Sequence, residues 1–580
     1  MGSIEKRHGV LERVIRQPFT MVALGWVLLL AVLAVFSPYL APYDPNVTDV
    51  LNRLRGPSVT HWLGTDDLGR DTLSRAMWGS RVAVLACLQA VGLAALIGIP
   101  IGLLVGYKGG RWDRIVMRLV EVEQSIPLLL IAFALVAILG YGLFNAMLAV
   151  SIAFSMSYLR ITRAVVLAER PKSYVQAAEI QGYPISRVLF RHILPNIVGP
   201  LIVQTSILSG VAILLEAMMS FLGIGTQAGT ASWGAMLEDA RRFQVQQLFL
   251  SLVPGLMITV TVLAFNIIGD GLRDAFGIET HARKSVSKSR AVRPALRIQA
   301  MGKEQAEAQR PSVLSVTNLE VEFPQQDGSV SHVVKGVSFD VAPAEIFGLV
   351  GESGSGKSMT VSAVLGMVPP PGEVTGGSIV LDGRELVGIS AAEWKKIRGR
   401  DIGVVFQDPM AALSQVHTVG MQITEGLRYH QKMTKAQAWA RAAELLDIVG
   451  VPNARARLDD YPHQFSGGMA QRAMIAAALS CNPKLLIADE PTTALDVTVQ
   501  KQVLELLLKL REQLRMSVLL ITHDLGVVAE VCDRVAVMQH GVLVDYGNMK
   551  DVFVEPKHSY TKQLLLARDG MLGANPRRSS

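Results

Sequence analysis

Cysteine is nearly absent. Cys87, Cys481 and Cys532 are the only three in 580 residues; they lie far apart, and none forms a CxxC pair or a metal-ligand spacing. That excludes a disulfide framework and a cysteine metal site, and leaves reduced thiols facing a cytoplasm as the expectation. Charge is also scarce: 18% of residues are charged against 50% hydrophobic, and the mean hydropathy is +0.34. A chain this apolar is not an ordinary soluble enzyme, and part of it should lie in lipid. The net charge of +7 raises nucleic acid as a partner, but the basic residues concentrate beside apolar spans and in one linker, so membrane orientation accounts for them better and no nucleic-acid partner is expected. A convincing small-residue cleavage site is missing too. The apolar run Phe19 to Phe36 leads into Ser37-Pro38-Tyr39-Leu40-Ala41-Pro42, so it reads as a retained first span rather than a signal peptide.

Further apolar spans fall at about Val82 to Tyr107, Val120 to Tyr141, Leu143 to Ile161, Ile197 to Leu222 and Leu248 to Leu272, giving six. Arginine and lysine are dense before the first span, between the second and third (Lys108, Arg111, Arg114, Arg118) and between the fourth and fifth (Arg160, Arg163, Arg170, Lys172, Arg187, Arg191). Those segments should be cytoplasmic, and 37–81 and 223–247 should lie outside. Residues 279–312 are basic without apolar periodicity and read as a linker able to touch anionic headgroups. From Val313 onward, strands and amphipathic helices alternate as in an α/β nucleotide-binding domain.

The stretch Gly351-Glu352-Ser353-Gly354-Ser355-Gly356-Lys357-Ser358 fits GxxxxGK[ST] without a mismatch, between an apolar strand (Ile346 to Val350) and a helix (Met359 to Val368). Glycines let backbone N–H groups close around a polyphosphate, the helix N-terminus adds a favourable dipole, Lys357 reaches the outer phosphates and Ser358 can hold Mg²⁺. Because ATP is cytoplasmic, an even number of spans before this loop agrees with the charge-based orientation. Downstream, the apolar strand Leu485-Leu486-Ile487-Ala488 ends in Asp489-Glu490. Asp489 suits the metal and Glu490 suits polarising a water.

Between and after these motifs come Gln407, Phe465-Ser466-Gly467-Gly468-Met469, Ala494-Leu495-Asp496 and Thr522-His523-Asp524. This order resembles the ATP-binding cassette (ABC) family over residues 313–555. The resemblance implies ATP and Mg²⁺, with Gln407 sensing the metal and coupling to the membrane domain, and His523 contacting the terminal phosphate. It further implies that Asp496 links two sites and that Ser466, Gly467 and Gly468 serve nucleotide held by a second cassette. Phe323 lies where the family places an aromatic for adenine stacking, or else it is a core strand residue. Phe465 and Met469 depart from the commonest signature, with methionine as in peptide-importer cassettes.

Gln176-Ala177-Ala178, Gly182 and His192-Ile193-Leu194-Pro195-Asn196 resemble the coupling loop of binding-protein-dependent importers, with glutamine at 176 where glutamate is usual. The stretches 37–45, 61–71, Leu215-Glu216, Ser220-Phe221-Leu222-Gly223 and Ser232-Trp233-Gly234 look like the second permease subunit of dipeptide, oligopeptide and nickel importers. His558-Ser559-Tyr560-Thr561 matches the tail of that branch's cassettes. The chain stops without the branch's cysteine-rich extension, so no iron–sulfur centre is expected.

The fold expected is therefore multidomain. A six-helix transmembrane permease domain (1–278, coupling loop about 170–196) and a basic linker (279–312) precede an α/β P-loop ABC domain with a helical subdomain (313–555), which a short tail (556–580) follows. The function implied is ATP-driven, binding-protein-dependent import of peptides across a bacterial plasma membrane. The partners implied are a second permease and a second cassette subunit, or a second copy of this chain, and an extracytoplasmic solute-binding protein. Rivals are nickel or another small solute, export, and a membrane-tethered regulatory ATPase. Glu216 is either a functional acid in an apolar span or a carboxylate solvated near its outer end. The segments Gly64 to Asp71 and Ser232 to Arg242 either dock the binding protein or pack the permease's outer rim.

Overall fold

The computed structural model describes residues 10–226, 229–243, 245, 247–276, 311–325, 329–492 and 497–572. The chain forms two compact units, Met1–Arg170 with Ile193–Arg293, and Pro171–His192 with Pro294–Ser580. The expected linker 279–312 falls almost wholly outside the described residues, as does Asp496.

The first unit is helical. Helices Pro18–Leu40, Thr72–Lys108, Leu143–Glu169 and Phe249–Phe276, and the run containing Leu194–Phe221, are each long and apolar enough to cross a membrane. Asp71 starts the Thr72–Lys108 helix, its carboxylate accepting from the Ser74 N–H at 2.8 Å, as an N-cap should. Gly98, Gly102 and Gly106 then form a four-residue repeat against Leu143–Glu169. A Cβ at Gly98 would stand 2.3 Å from the Ser155 carbonyl oxygen and one at Gly102 2.7 Å from Thr162 Cβ, so the two backbones approach as closely as small residues allow.

The expected third span, Val120 to Tyr141, is not one helix. Gly110–Gln124 and Leu128–Leu139 are separate and meet at 88°, so among the described residues five helices are long and apolar enough to span, or six if the bent pair is one span. Pro127 is the cause: it lacks an N–H and biases Ile126 away from the helical region. The Glu123 carbonyl, which an N–H at position 127 would have met, accepts instead from the Ile126 N–H at 3.1 Å, and Ser125 Oγ donates to the Val122 carbonyl at 2.6 Å.

The second unit is α/β. Strands β1 (Leu314–Pro324), β2 (Val330–Val341), β4 (Glu373–Leu381) and β5 (Arg384–Glu385) form an antiparallel sheet in the order β2-β1-β4-β5. Strands β3 (Ile346–Val350), β6 (Ile402–Val405), β7 (Leu485–Asp489), β8 (Ser517–Thr522), β9 (Arg534–Gln539) and β10 (Val542–Asn548) form the second, ordered β10-β9-β3-β8-β7-β6, parallel except for edge strand β10. Strand β3 is buried along its whole length, as its unbroken apolar run requires of a central parallel strand. The carboxyl ends of β3, β7 and β8 thus lie side by side, and each carries one of the motifs. Helices Val419–His430, Lys435–Ile448 and Gly467–Leu479 pack on one another as the helical subdomain.

Candidate nucleotide site and coupling contact

The loop after β3 turns through Gly351, Gly354 and Gly356, whose φ angles are +156°, +85° and +108°. Only glycine adopts the last two without strain. Gly351 is needed for space as well, since a Cβ there would lie 2.2 Å from the Met538 carbonyl oxygen. The loop opens the helix Lys357–Val364. Ser353, Gly354 and Ser358 are exposed, while Ser355 and Lys357 are buried. Lys357 Nζ curls back to donate to the carbonyls of Gly351 and Glu352 at 2.7 and 2.9 Å. Among the described residues it has no carboxylate partner, and burial holds its pKa below the ordinary lysine range. A cation held by carbonyl dipoles and the Ser355 hydroxyl at a helix start is suited to an incoming anion.

Facing it, Glu490 takes a left-handed φ of +45°, and its N–H donates to the Ile521 carbonyl at 2.8 Å. That turn brings three expected residues together: Gln407 Nε2 donates to Glu490 Oε2 at 2.8 Å, and His523 Nδ1 lies 2.9 Å from Oε1. Burial, and then the neighbouring Glu490, push the Asp489 carboxyl above the usual carboxylate range. Asp489, Glu490, the hydroxyl of Ser358 and the amide of Gln407 offer oxygen donors only, the chemistry that a hard divalent cation prefers.

Ser466 caps the helix Gly467–Leu479, its Oγ accepting from Met469 N–H at 3.4 Å. A Cβ on Gly467 would meet nothing within 4 Å, so this helix end is open. Phe323 is partly buried on β1, its ring against Gly372, where a Cβ would come within 2.4 Å of Phe323 Cζ. Two supports went unseen in the sequence. Buried Gln471 donates to the Pro491 carbonyl at 2.7 Å, tying the Ser466 helix to the turn after Glu490. The Glu352 N–H donates to Tyr560 Oη at 3.1 Å, so the tail motif braces the phosphate loop.

Residues 171–192 pack within this same unit. Helix Ser173–Ile180 leads to Gly182 at φ +73°, where a Cβ would stand 2.8 Å from the Lys395 carbonyl oxygen. Tyr183 stacks on His192, with centroids 5.6 Å apart, and meets Tyr429 edge-on at 5.4 Å. At the centre is Glu425, buried, with Arg191 Nε at 3.3 Å, His192 Nε2 at 3.5 Å and Arg187 Nε at 3.9 Å. Burial pushes this carboxyl up, but His192, Arg191 and Arg187 together hold it below its usual range. His430 Nε2 meets the Gln181 carbonyl at 2.7 Å. Gln181, Glu425 and Met474 are among the residues lining a cavity of about 70 Å³.

Burial holds His417 and His430 below the ordinary histidine range. For His417 part of that depression comes from His192 and Arg191 of the docked segment, so the undocked state binds more protons there once pH falls below about 6.5, and docking weakens from there downward. Amide exchange of residues 173–180, corrected for intrinsic rates, should show lower protection at about pH 5.5 than at about pH 7.5. Equal protection would contradict this.

In the first unit, Asp66 accepts from Arg70 Nε at 2.7 Å and Arg75 Nη1 at 2.6 Å, and Asp239 accepts from Arg70 Nη2 at 3.0 Å and Arg75 Nη2 at 3.2 Å. All but Asp239 are buried. Trp233 Nε1 donates to the Ala76 carbonyl at 3.0 Å, and a Cβ at Gly234 would lie 2.2 Å from the Ala217 carbonyl oxygen. Asp66, Arg70, Asp71 and Trp233 of these two stretches are therefore committed to internal pairing and packing, whereas Arg241 and Arg242 are exposed. Glu216 is fully buried, not solvated at a helix end. Ser220 Oγ donates to its Oε1 at 2.7 Å, and among the described residues Oε2 has no hydrogen-bond partner.

Comparison with known proteins separates the chain along the same lines. Residues 8–57 match the N-terminal TM domain of oligopeptide transport permease C, residues 98–277 match the binding-protein-dependent transport system inner membrane component, and residues 334–493 match the ABC transporter model. The dipeptide transport ATP-binding protein DppD of Bacillus subtilis is 51% identical over 266 residues, 46% of this chain and 77% of that protein. The oligopeptide transport ATP-binding protein OppD of the same organism is 49% identical over 254 residues, 44% of this chain and 71% of that protein. OppD of Escherichia coli is 47% identical over 262 residues, 45% of this chain and 77% of that protein.

Proposed function

Because this chain belongs to the ABC transporter family and joins a multi-pass permease to a cytoplasmic ATPase in one polypeptide, we propose that it supplies one permease and one cassette to an ATP-driven importer of di- or oligopeptides. The observation that carries the reading is the packing of residues 171–192 on the nucleotide-binding unit, gathered around Glu425. A permease loop docked on an ATPase is the arrangement that coupling requires. The names of the relatives support peptides as the solute.

Phosphoryl transfer to water needs the nucleophile placed and negative charge neutralised. Ser353 to Ser358 cradle the phosphates of ATP and Lys357 swings from its loop carbonyls to the outer ones. Mg²⁺, held by Ser358, Gln407 and Asp489, would neutralise charge between those phosphates. Glu490 orients the attacking water and His523, already against Glu490, reaches the terminal phosphate. Phe323 lies on the adenine side. Ser466, Gly467 and Gly468 close over nucleotide held by a second cassette, and Asp496, outside the described residues, links the two sites. Gln407 and the 171–192 segment pass that closure to the permease, while buried Glu216 serves its gate.

The assembly needs two permease domains and two cassettes, met by two copies of this chain or, the arrangement we favour, by one copy with a related permease and cassette. Substrate arrives on an extracytoplasmic binding protein. Affinity purification of the full chain from its own membranes should bring a second permease and a second cassette, and a complex holding only this chain would overturn the unlike pairing. Depletion of a defined peptide mixture from the medium, read by mass spectrometry, should occur with wild type and not with Lys357→Ala. Equal depletion by both would remove the peptide assignment.

A further inference from the structure

We propose that the helix Gly110–Gln124 is a membrane-surface anchor that binds anionic phospholipid headgroups at the cytoplasmic face. Its position follows from its neighbours. It begins two residues after Lys108 ends a long apolar helix, and it meets the apolar Leu128–Leu139 helix at 88°. Arg163 forks onto Asp113, with Nη2 to Oδ2 at 2.7 Å, and Arg160 Nη1 donates to Gln124 Oε1 at 3.2 Å. Arg160 and Arg163 are less than one turn apart on Leu143–Glu169, roughly 4.5 Å along its axis, whereas Asp113 and Gln124 are roughly 16 Å apart along theirs. The helix therefore lies across Leu143–Glu169 at the level of its basic end, as a helix in the membrane plane would.

Its surface has the matching chemistry. Trp112, Ile115, Leu119 and Val122 recur at helical spacing and are 67%, 55%, 62% and 62% exposed, so this apolar stripe is uncovered by the rest of the unit. One position earlier in the same register run Arg111, Arg114 and Arg118, all exposed, and among the described residues none has a hydrogen bond or ion pair. The acids do not cancel them: Asp113 is taken by Arg163, and Glu121 and Glu123 sit in the last turn. Cations at the start and acids at the end oppose the helix dipole, an order that makes sense when an external anion meets the basic end. An apolar stripe with a tryptophan beside a basic stripe, perpendicular to an apolar helix, is how interfacial helices seat in the headgroup boundary. The inference rests on the membrane reading of this unit and not on the solute.

The test uses the full chain in nanodiscs of phosphatidylcholine, alone or mixed with phosphatidylglycerol. The native cysteines are buried, so Ile115→Cys or Leu119→Cys can be spin-labelled selectively. The labels should be open to oxygen and shielded from a water-soluble paramagnet. Native mass spectrometry should find phosphatidylglycerol retained, and the triple change Arg111→Gln, Arg114→Gln, Arg118→Gln should cut retention by about tenfold or more. Lysine at the same three positions should restore it. Labels open to the water-soluble reagent would overturn the anchor. So would labels closed to both reagents, which would mean that a partner permease covers the stripe, and so would retention indifferent to the arginines.

Discussion

Glu490→Gln should bind ATP as the wild type does and hydrolyse it about 10²- to 10³-fold more slowly. The amide keeps the shape of the carboxylate and can still accept from Gln407, so the group that meets Glu490 Oε2 at 2.8 Å stays in place. What is lost is the negative charge that orients and polarises the water. The effect should fall on kcat with KM little changed, because an interaction made in the transition state has been removed and ground-state binding has not. Lys357→Ala should behave in the opposite way and lose nucleotide affinity. If Glu490→Gln left kcat intact, the meeting of Gln407, Glu490 and His523 would be packing and the water would be activated elsewhere.

The second large effect is expected far from the phosphates. Glu425→Ala should lower the solute moved per ATP by about tenfold while leaving basal ATP turnover near wild type, the size of an ordinary coupling free energy. Glu425 is the acid to which Arg187, Arg191 and His192 all turn. The two arginines are more than a third exposed or close to it, so water can take their charge when the acid is gone. The protein should therefore survive the change, and the loss should appear in coupling rather than in folding. Glu425→Asp should recover part of the flux. Parallel loss of ATPase and flux would point instead to a cassette that no longer folds, which a melting curve would show.

Much of this was legible in the sequence because nucleotide chemistry fixes residue types. A loop that wraps phosphate must place glycines where φ is positive, as Gly354 and Gly356 show, and β3 must be apolar throughout because it is buried on both faces. The carboxylate at the end of β7 could be assigned for the same reason. Other features lack a local signature. The break at Ser125-Ile126-Pro127 hides inside an apolar run that averages like a span; the proline was visible, but prolines also sit inside Thr72–Lys108 and Leu194–Phe221 without ending either. Glu425 lies in an amphipathic helix as one acid among many, and only its meeting with a segment more than 230 positions earlier singles it out. Spacing alone leaves Gly64 to Asp71 open between docking and packing because the pairing of Arg70 with Asp239 is a tertiary fact. Tyr560 belongs to the tail pattern, but its contact with the Glu352 N–H spans 208 positions and cannot be read from spacing.

The measurement that bears most directly on the whole account follows ATP turnover and peptide accumulation together. It uses proteoliposomes holding the complete complex, with ATP on the cassette side and peptide-loaded binding protein on the other. Peptide should accumulate on the cassette side only with ATP, should stop with Glu490→Gln, and should fall relative to ATP consumed with Glu425→Ala. ATP turnover without accumulation would make this a membrane-tethered ATPase, and accumulation on the opposite side would make it an exporter; either result would contradict the account.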